Sequence, residues 1–598
     1  MKNNNFLKVS LATGIVFSMA VACSDNFLTR DPQAQYSPTA LKTAKGVEGV
    51  LLGAYAMLDG QGLDGQAPWE NDIQNWVFGG LTSDDAYKGT DAGDQPEESF
   101  LEKWDFQATN GHIKNKWRGL FKGVARANDA INTLKEVKDI SAERKAQVLA
   151  EAKFLRALFH FEAKKMWKNI PYIDDATFNL NDLESTKVPV DPTAWAKIEK
   201  DFADAASVLP DKQAQVGRPT KWAAKAFQAK AMMYQGFDVA TGAANTAKLT
   251  AAKALLEEIV NSGKFKLVES FRDNHDASTR NNQESIFEIQ YASSSASGDA
   301  ANAGVGLAHP YASPWGCCGF YQPSQNLVNA FKTDANGLPL LDTFNDSDVK
   351  NDQGLKLDDP FTPYAGNLDP RLDHTVGRRG ILFIDYKIHN VDFIRDQTYA
   401  GPYSPKKHIP SKAFTGINGW GNLTSNNYRI MRYSMILLWL AECEVEIGSL
   451  DKARTLVNQI RTRAANPAGF VQKAIQGSTR DAYTLVFDSK GNPEPAANYV
   501  IKNYTAPWTD KTVARKAVRF ETRLEFGMEG HRFFDLQRWG ISADVLNKYN
   551  DVEATKRVYK KGARFVKGKN EFFPIPQEAI DRSEKDGKAT LVQDAAYN

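Results

Sequence analysis

The stretch EFGMEGHRFFDLQRW, Glu525 to Trp539, gathers Glu525, Glu529, His531, Arg532, Asp535 and Arg538 into one short segment. Carboxylates beside a histidine can ligate a metal or share acid–base work, so catalysis is the first chemistry to test. The spacing favours another reading. Glu529 and Arg532 stand three apart, as do Asp535 and Arg538, and opposite charges at that spacing meet on a helix. The cluster therefore reads as a paired network that pins helix ends. The chain has no HExxH zinc motif and no GxSxG nucleophile elbow. GARFVKGK, Gly562 to Lys569, has five residues between its glycines and is followed by Asn570, so it is not a phosphate loop. NDSDVKND, Asn345 to Asp352, and DANG, Asp334 to Gly337, hold oxygen donors but miss the calcium-loop spacing and its terminal glutamate. They read as turns, with a structural Ca2+ as the alternative. The sequence assigns no catalytic residue and no metal ligand.

A second chemistry is offered by aromatic residues outside helical patterns. A Tyr or Trp plane can cover the CH face of a sugar ring while Asp, Asn, Arg or Lys bonds its hydroxyls. YASPWGCCGFY places Tyr311, Trp315, Phe320 and Tyr321 among Gly, Pro and Ser. APWENDIQNWVFGGLTSDDAYKG offers Trp69, Trp76 and Tyr87 beside Asp72, Asp84, Asp85 and Lys88. The candidate ligand residues are Trp315, Tyr311, Trp69, Tyr87, Asp85 and Lys88, with Trp76 and Trp420 as further aromatics. The competing reading is that each ring plugs an internal interface. The adjacent Cys317 and Cys318 are either a vicinal disulfide or two reduced thiols, and four cysteines in the whole chain give no disulfide scaffold.

Long amphipathic helices must carry these loops. Val148, Ala152, Leu155, Phe159, Ala163 and Met166 recur at three- to four-residue steps. Tyr433, Ile436, Leu437, Leu440 and Ala441 make another stripe, ended by Gly448. Ser449 caps a partner striped by Ala453, Leu456, Val457 and Ile460. This hairpin is of the tetratricopeptide (TPR) style. Degenerate pairs join 39–59 with 112–138, 141–167 with 192–207, and 219–237 with 246–262, giving about four irregular repeats. Between them lie long Gly/Pro/Asp-rich stretches at 60–111, 264–426 and 466–509, of a length that is often functional. SIFEIQYA at 285–292 reads as a strand. The fold class is mostly α, a helical scaffold bearing a loop-rich, partly β second lobe.

The 598 residues include 74 Lys+Arg and 72 Asp+Glu, and Lys2 and Lys8 account for the difference. An even balance with no basic face excludes a nucleic-acid partner. Lys2 and Lys8 precede an uncharged run from Val9 to Ala22. That run is shorter than the ~20 apolar residues of a membrane span and reads as a secretory signal. It ends in AVAC, and small residues directly before Cys23 look like a bacterial lipobox. The expected product has diacylglycerol on the Cys23 sulfur and a palmitate-type acyl group on the new amine; the alternative is an ordinary signal peptide with an incidental cysteine. Each buried CH2 contributes about 0.8 kcal/mol, so several chains hold a soluble domain at a membrane.

Seven segments together resemble the SusD/RagB family of outer-membrane nutrient-binding lipoproteins of Bacteroidetes. They are CSDNFLTRDP at 23–32, LTSDDAY at 81–87, YQPSQNLVNAFKTDANG at 321–337, DPRLDHTV at 369–376, RYSMILLWLAECEVEIGSLDKARTLVNQIRTRA at 432–464, ETRLEFGMEGHRFFDLQRWG at 521–540 and NEFFPIPQEAI at 570–580. Ser434 and Met435 depart from the family's usual Ala-Glu, and VQDAAYN replaces its C-terminal QNPGY. The resemblance implies a signal peptide at 1–22, an N-terminal SusD-like helical region at 23–280 and a C-terminal region at 281–598. That last region would hold ligand loops and the final helix pair. It also implies a cell-surface, lipid-anchored lid over a SusC-like TonB-dependent transporter, capturing oligo- or polysaccharide without catalysis. In such proteins the ligand face draws on the loop after the SSD turn and the mid-chain loop before PSxxL. Alternatives are the same lid for peptides or another nutrient, a lipid-anchored hydrolase, and a TPR adaptor without a small ligand.

Overall fold

The structure, a computed structural model, describes residues 38–60, 67–292, 300–311, 314–414 and 423–598. Cys23, the signal segment and Trp420 lie outside the described residues.

Eight helices form the expected pairs: α1 (Ala44–Tyr55) with α2 (Gly111–Glu136), α3 (Ala142–Met166) with α4 (Ala194–Val208), α5 (Lys221–Met233) with α6 (Thr246–Asn261), and α7 (Tyr433–Ile447) with α8 (Leu450–Ala464). Pair stacks on pair through α2 on α3, α4 on α5 and α6 on α7. Side-chain caps fix the starts. Asn110 accepts from Ile113 N, Ser141 from Arg144 N, and Ser449 from Lys452 N, each satisfying an amide that the first helical turn leaves unpaired. α3 is buried around most of its circumference because α2 and α4 both lie against it. Close approach there needs a missing side chain: a Cβ on Gly123 of α2 would sit 2.7 Å from the Phe159 ring of α3.

After α8 the chain runs through the segment 466–509 into α9 (Lys511–Phe526), α10 (Arg532–Arg538) and α11 (Ser542–Lys556). α9 lies against both α7 and α8. The Gly/Pro/Asp-rich segments supply short elements, including β1 (Ala86–Gly89), β2 (Ser285–Ile289), β3 (Phe320–Pro323) and β4 (Tyr428–Arg432). Among the described residues every sheet is two-stranded. β1 pairs antiparallel with β3, setting Tyr87 opposite Gln322 and Gly89 opposite Phe320. β2, the strand expected at 285–292, pairs antiparallel with β4, setting Ser285 opposite Arg432. β4 runs without a break into α7 and so delivers Arg432 to the centre of the molecule.

There a buried ion network forms. Arg432 meets Glu284 at 2.9 Å and Glu529 at 3.0 Å, and also Glu525. Arg463 of α8 bridges Glu284 and Glu525. Arg371 holds Asp369 at 2.8 Å, Glu521 at 2.7 Å and Glu525 at 3.1 Å, and Arg461 holds Glu521 at 2.9 Å. Arg432, Arg461, Glu284, Glu521 and Glu525 are fully buried. Burial alone would disfavour the Glu525 carboxylate, but Arg463, Arg432 and Arg371 outweigh it and hold its pKa well below the usual range. The expected Asp535–Arg538 pair is present at 2.8 Å. The expected Glu529–Arg532 pair is not. Glu529 turns to Arg432 and Lys407, and Arg532 binds Asp84 at 2.7 Å. The reason is that α10 begins only at Arg532, after Gly530 turns with φ +75°, so Glu529 and Arg532 do not share one helical surface.

The same segment anchors the turn Trp76–Leu81. A Cβ on Gly79 would fall 1.9 Å from Gly530 O, and Gly530 itself has φ +75°. Only glycine fits at that contact.

Candidate functional site

With the charges of Glu525 to Arg538 committed to one another and to the core, the candidate site lies where the two aromatic loops meet. Antiparallel pairing of β1 and β3 brings them together. Beyond β1 the chain turns sharply at Gly89, where φ is +90° and a Cβ would lie 2.4 Å from Gly319 O. Thr90 N then donates to Gly319 O at 2.6 Å, tying the loops at the point of exit.

The loop 90–95 is held from beneath. Lys88 Nζ donates to Asp91 O at 2.7 Å and to Asp94 O. Asp91 Oδ1 accepts from Gly93 N and Asp94 N, closing an Asx-type turn. This leaves the other carboxylate oxygens to face Arg395. Arg395 Nη2 meets Asp91 Oδ2 at 2.7 Å, and Nη1 meets Asp94 Oδ2 at 2.8 Å and Thr90 Oγ1 at 2.9 Å. The Arg395 guanidinium lies 5.5 Å from the Tyr311 ring centroid. Tyr311 is 40% exposed, and its backbone N–H donates to Phe393 O at 2.8 Å. The result is an open tyrosine plane beside an arginine fork and two carboxylates, each about one third exposed.

Trp315 sits next to this patch, half-buried. Its ring centroid is 4.7 Å from Tyr386, 5.3 Å from Phe383 and 5.8 Å from Phe393. These belong to a small core of Phe383, Tyr386, Phe393, Ile394 and Ile409 separate from the main one. The indole Nε1 is buried and has no hydrogen-bond partner among the described residues. Cys317 and Cys318 form the vicinal disulfide, one of the two states left open by the sequence.

The other candidates sit elsewhere. Tyr87 is fully buried; its hydroxyl donates to Glu553 at 2.6 Å and accepts from Gln325 N at 3.2 Å. Asp85 is buried and accepts from Arg523 Nε at 2.9 Å. Lys88 is buried too, so it positions the loop rather than facing solvent. All four residues of β1 are buried, because the segments 76–81, 96–102 and 397–400 pack around the strand that β3 pairs. Expecting Tyr87, Asp85 and Lys88 on an open face is therefore corrected by burial. Trp69 is half-buried against the main core, on a turn that packs on α2. Trp76 is buried and donates to Gly304 O at 2.8 Å. Arg395, Asp91 and Asp94 were not singled out by sequence, and no motif marks them: Arg395 meets partners about three hundred residues away in the chain.

Among the described residues no group of three or more His, Cys, Asp or Glu is placed to hold a metal ion. The candidate calcium segments spend their oxygens on turns. Asp334 Oδ1 accepts from Asn336 N and Leu338 N, while Asn345 and Asp348 accept from Asn329 Nδ2. No described helix is long and apolar enough to cross a membrane.

Comparison with known proteins fits this architecture. Residues 81–233 match the family described as starch-binding, associating with outer membrane. A SusD-like protein, P25, of Formosa agariphila is 23% identical over 544 residues, covering 89% of each chain. A SusD superfamily structure from Bacteroides vulgatus has a TM-score of 0.63 at 22% identity, covering 92% of this chain and 98% of its own. The surface glycan-binding protein A of Bacteroides thetaiotaomicron, solved with laminarihexaose, has a TM-score of 0.63 at 20% identity, covering 92% of this chain and 99% of its own. Residues 283–597, more than half of the chain, match the SusD family itself, and the chain belongs to the SusD/RagB family.

Proposed function

We propose that this protein is a cell-surface glycan-binding lipoprotein that captures oligo- or polysaccharide and hands it to a SusC-like TonB-dependent transporter. The observation that carries the reading is the Tyr311 plane, 40% exposed beside Arg395, Asp91 and Asp94. A sugar ring lying on Tyr311 would present its edge hydroxyls to two acceptors and one fork of donors. The binding of laminarihexaose by a protein of the same fold supports a glycan as ligand. Both carboxylates already lean on Arg395, which suits hydroxyl recognition better than proton transfer, so the site binds and releases its ligand unchanged. Cys23 carries the lipid anchor and places the protein on the outer membrane, in keeping with the family description of 81–233.

The test is a polysaccharide and peptide array probed with the wild type and with Tyr311→Ala and Trp315→Ala. One glycan class should bind, Tyr311→Ala should lose it, and prolonged incubation should release no product. Binding of peptides alone would move the reading to a peptide lid. Cys23→Ser should leave the membrane fraction, and the anchored wild type should co-purify with an outer-membrane barrel.

A further inference from the structure

A second cleft lies between α9, α11 and the segment 341–346, with a volume of about 530 Å3. That falls within the roughly 300–1,000 Å3 of small-molecule sites. It shares no lining residue with the Tyr311 face. Arg515, Arg519 and Arg523 project into it from successive turns of α9. The two outer arginines are satisfied. Arg515 grips Glu446 through bonds of 2.6 and 2.9 Å, and Arg523 holds Asp85 at 2.9 Å and Asp84 at 3.1 Å.

The middle one is not. Among the described residues Arg519 has no carboxylate partner, and its Nε is buried without an acceptor. Its guanidinium is sandwiched between Trp539 at 4.9 Å and Phe237 at 5.2 Å. The carboxylate that attracts it, Glu442, has both oxygens taken by Arg538 at 2.6 and 3.0 Å, with Trp539 Nε1 adding a third bond at 3.0 Å. Burial, reinforced by Arg538 and Arg515, lowers the Arg519 pKa to about 10, which still leaves it charged at neutral pH. Two more polar groups in the cleft wall are buried without partners, the Tyr549 hydroxyl and Asn326 Oδ1. Unmet buried groups are costly, and their concentration in this wall marks it as polar in excess of what packing satisfies, with the Arg519 fork as the group open to a ligand.

We infer that this cleft is a second binding site, for a ring-sized ligand that carries a carboxylate and hydroxyls, such as a uronic acid. The carboxylate would take the fork of Arg519, a charge-assisted and geometrically matched contact. Phe344, Phe520 and Trp539 give apolar walls for the ring, whose hydroxyls face the polar rim of the cleft. The acidic residues of the cleft do not oppose this. Asp84 is neutralised by Arg523 and Arg532, Asp342 is paired with Lys516 at 2.5 Å, and Asp346 and Asp544 are solvent-exposed, as is Lys548 of the same lining. A neutral sugar leaves Arg519 bare, and a bare anion leaves the apolar walls of Phe344, Phe520 and Trp539 uncovered.

Calorimetric titration of the purified protein with D-glucuronate, D-glucose and sodium sulfate tests this directly. Glucuronate should bind at least about tenfold more tightly than glucose or sulfate, a difference of about 1.4 kcal/mol. Arg519→Met should abolish that preference, with its melting temperature checked in the same sample. If Arg519→Met does not fold, Arg519→Lys, which keeps the charge and loses the fork, should weaken glucuronate severalfold. Tyr311→Ala should leave glucuronate binding intact, which separates this site from the proposed glycan face. Equal affinity for glucose, equal affinity for sulfate, or unchanged glucuronate binding in folded Arg519 variants would each overturn the assignment.

Discussion

Two regions of the molecule are built from the same parts, arginine set between carboxylates, and they do opposite work. Around Arg432 the partners Glu284 and Glu525 are fully buried, and each guanidinium bridges segments far apart in the chain. Around Arg395 the arginine and both aspartates are about one third exposed, and the aromatic beside them faces solvent. Burial is what separates them. Removing one partner of a desolvated pair strands the others, whereas an exposed pair contributes only ~0–1 kcal/mol and trades contacts with water or ligand readily. The first region therefore fixes one conformation, and the second is free to exchange its bonds with water or with a ligand.

The largest expected effect breaks the buried side of that comparison. Arg432→Met leaves Glu284, Glu525 and Glu529 without their shared cation. Urea unfolding should show a loss of about 3–5 kcal/mol. Arg395→Met, measured alongside, should lose less than about 1 kcal/mol. Equal losses would mean that burial does not distinguish the two clusters.

A smaller effect appears in the pH dependence of the Asp84 contact. Burial opposes the Asp84 charge, but Arg523 and Arg532 outweigh it and hold its pKa to about 2. A carboxylate whose folded pKa lies below its unfolded value stabilises the fold above the unfolded value, and this share fades as pH falls through the folded one. Asp84 should therefore contribute about 2 kcal/mol at pH 7, lost progressively between about pH 4 and pH 2. Asp85 is pushed upward by burial despite Arg523, so the quantity to measure is the difference between wild type and Asp84→Asn. That gap should narrow across this window; a gap independent of pH would show that Asp84 is not held as an anion.

The helical scaffold was legible because its signal is local. The stripes on α3, α7 and α8 lie within single segments, and Ser449 caps α8 as its position in the sequence suggests. The ion network was legible only as residue types. Glu529 and Arg532 were matched by spacing, yet their partners Arg432 and Asp84 lie 97 and 448 positions away. The family motifs turn out to be the scaffold's charge pairs: DPRL supplies Asp369 and Arg371, RTRA supplies Arg461 and Arg463, and ETRLE supplies Glu521 and Glu525. At the candidate site, Tyr311 could be found from its Gly- and Pro-rich setting. Tyr87, Asp85 and Lys88 share a polar context in sequence that hides a strand buried on both sides. Arg395 carries no local mark at all.

Lys88 sharpens the comparison because it is buried itself yet serves the exposed face. It holds the carbonyls of Asp91 and Asp94 and lies 5.2 Å from the Tyr399 ring. Lys88→Met should cost about 1–3 kcal/mol through the two carbonyls left unmet. It should also speed amide exchange across 90–95 while leaving exchange in α7 unchanged. Protection lost equally in both places would make Lys88 part of the scaffold instead of a support for the loop.

The smallest effect on stability should fall at Tyr311, and that is what makes it informative. Its ring is 40% exposed, with the Arg395 guanidinium 5.5 Å from its centroid. Tyr311→Ala should change unfolding free energy by no more than about 0.5 kcal/mol, the range of surface substitutions. An aromatic anchor at a binding face is worth far more to the ligand than to the fold. Affinity for the glycan found on the array should fall by about tenfold or more, about 1.4 kcal/mol. Trp315→Ala gives the contrast within one loop, because that ring packs on Phe383, Tyr386 and Phe393 and its removal opens a cavity in the small core. Because the ring is half-buried, the substitution should cost about 2–3 kcal/mol of stability, below the range of a fully buried aromatic, so any affinity it loses is read only against the fraction still folded. If Tyr311→Ala destabilises the fold as much as Trp315→Ala, the exposed ring belongs to the scaffold and the glycan face lies elsewhere.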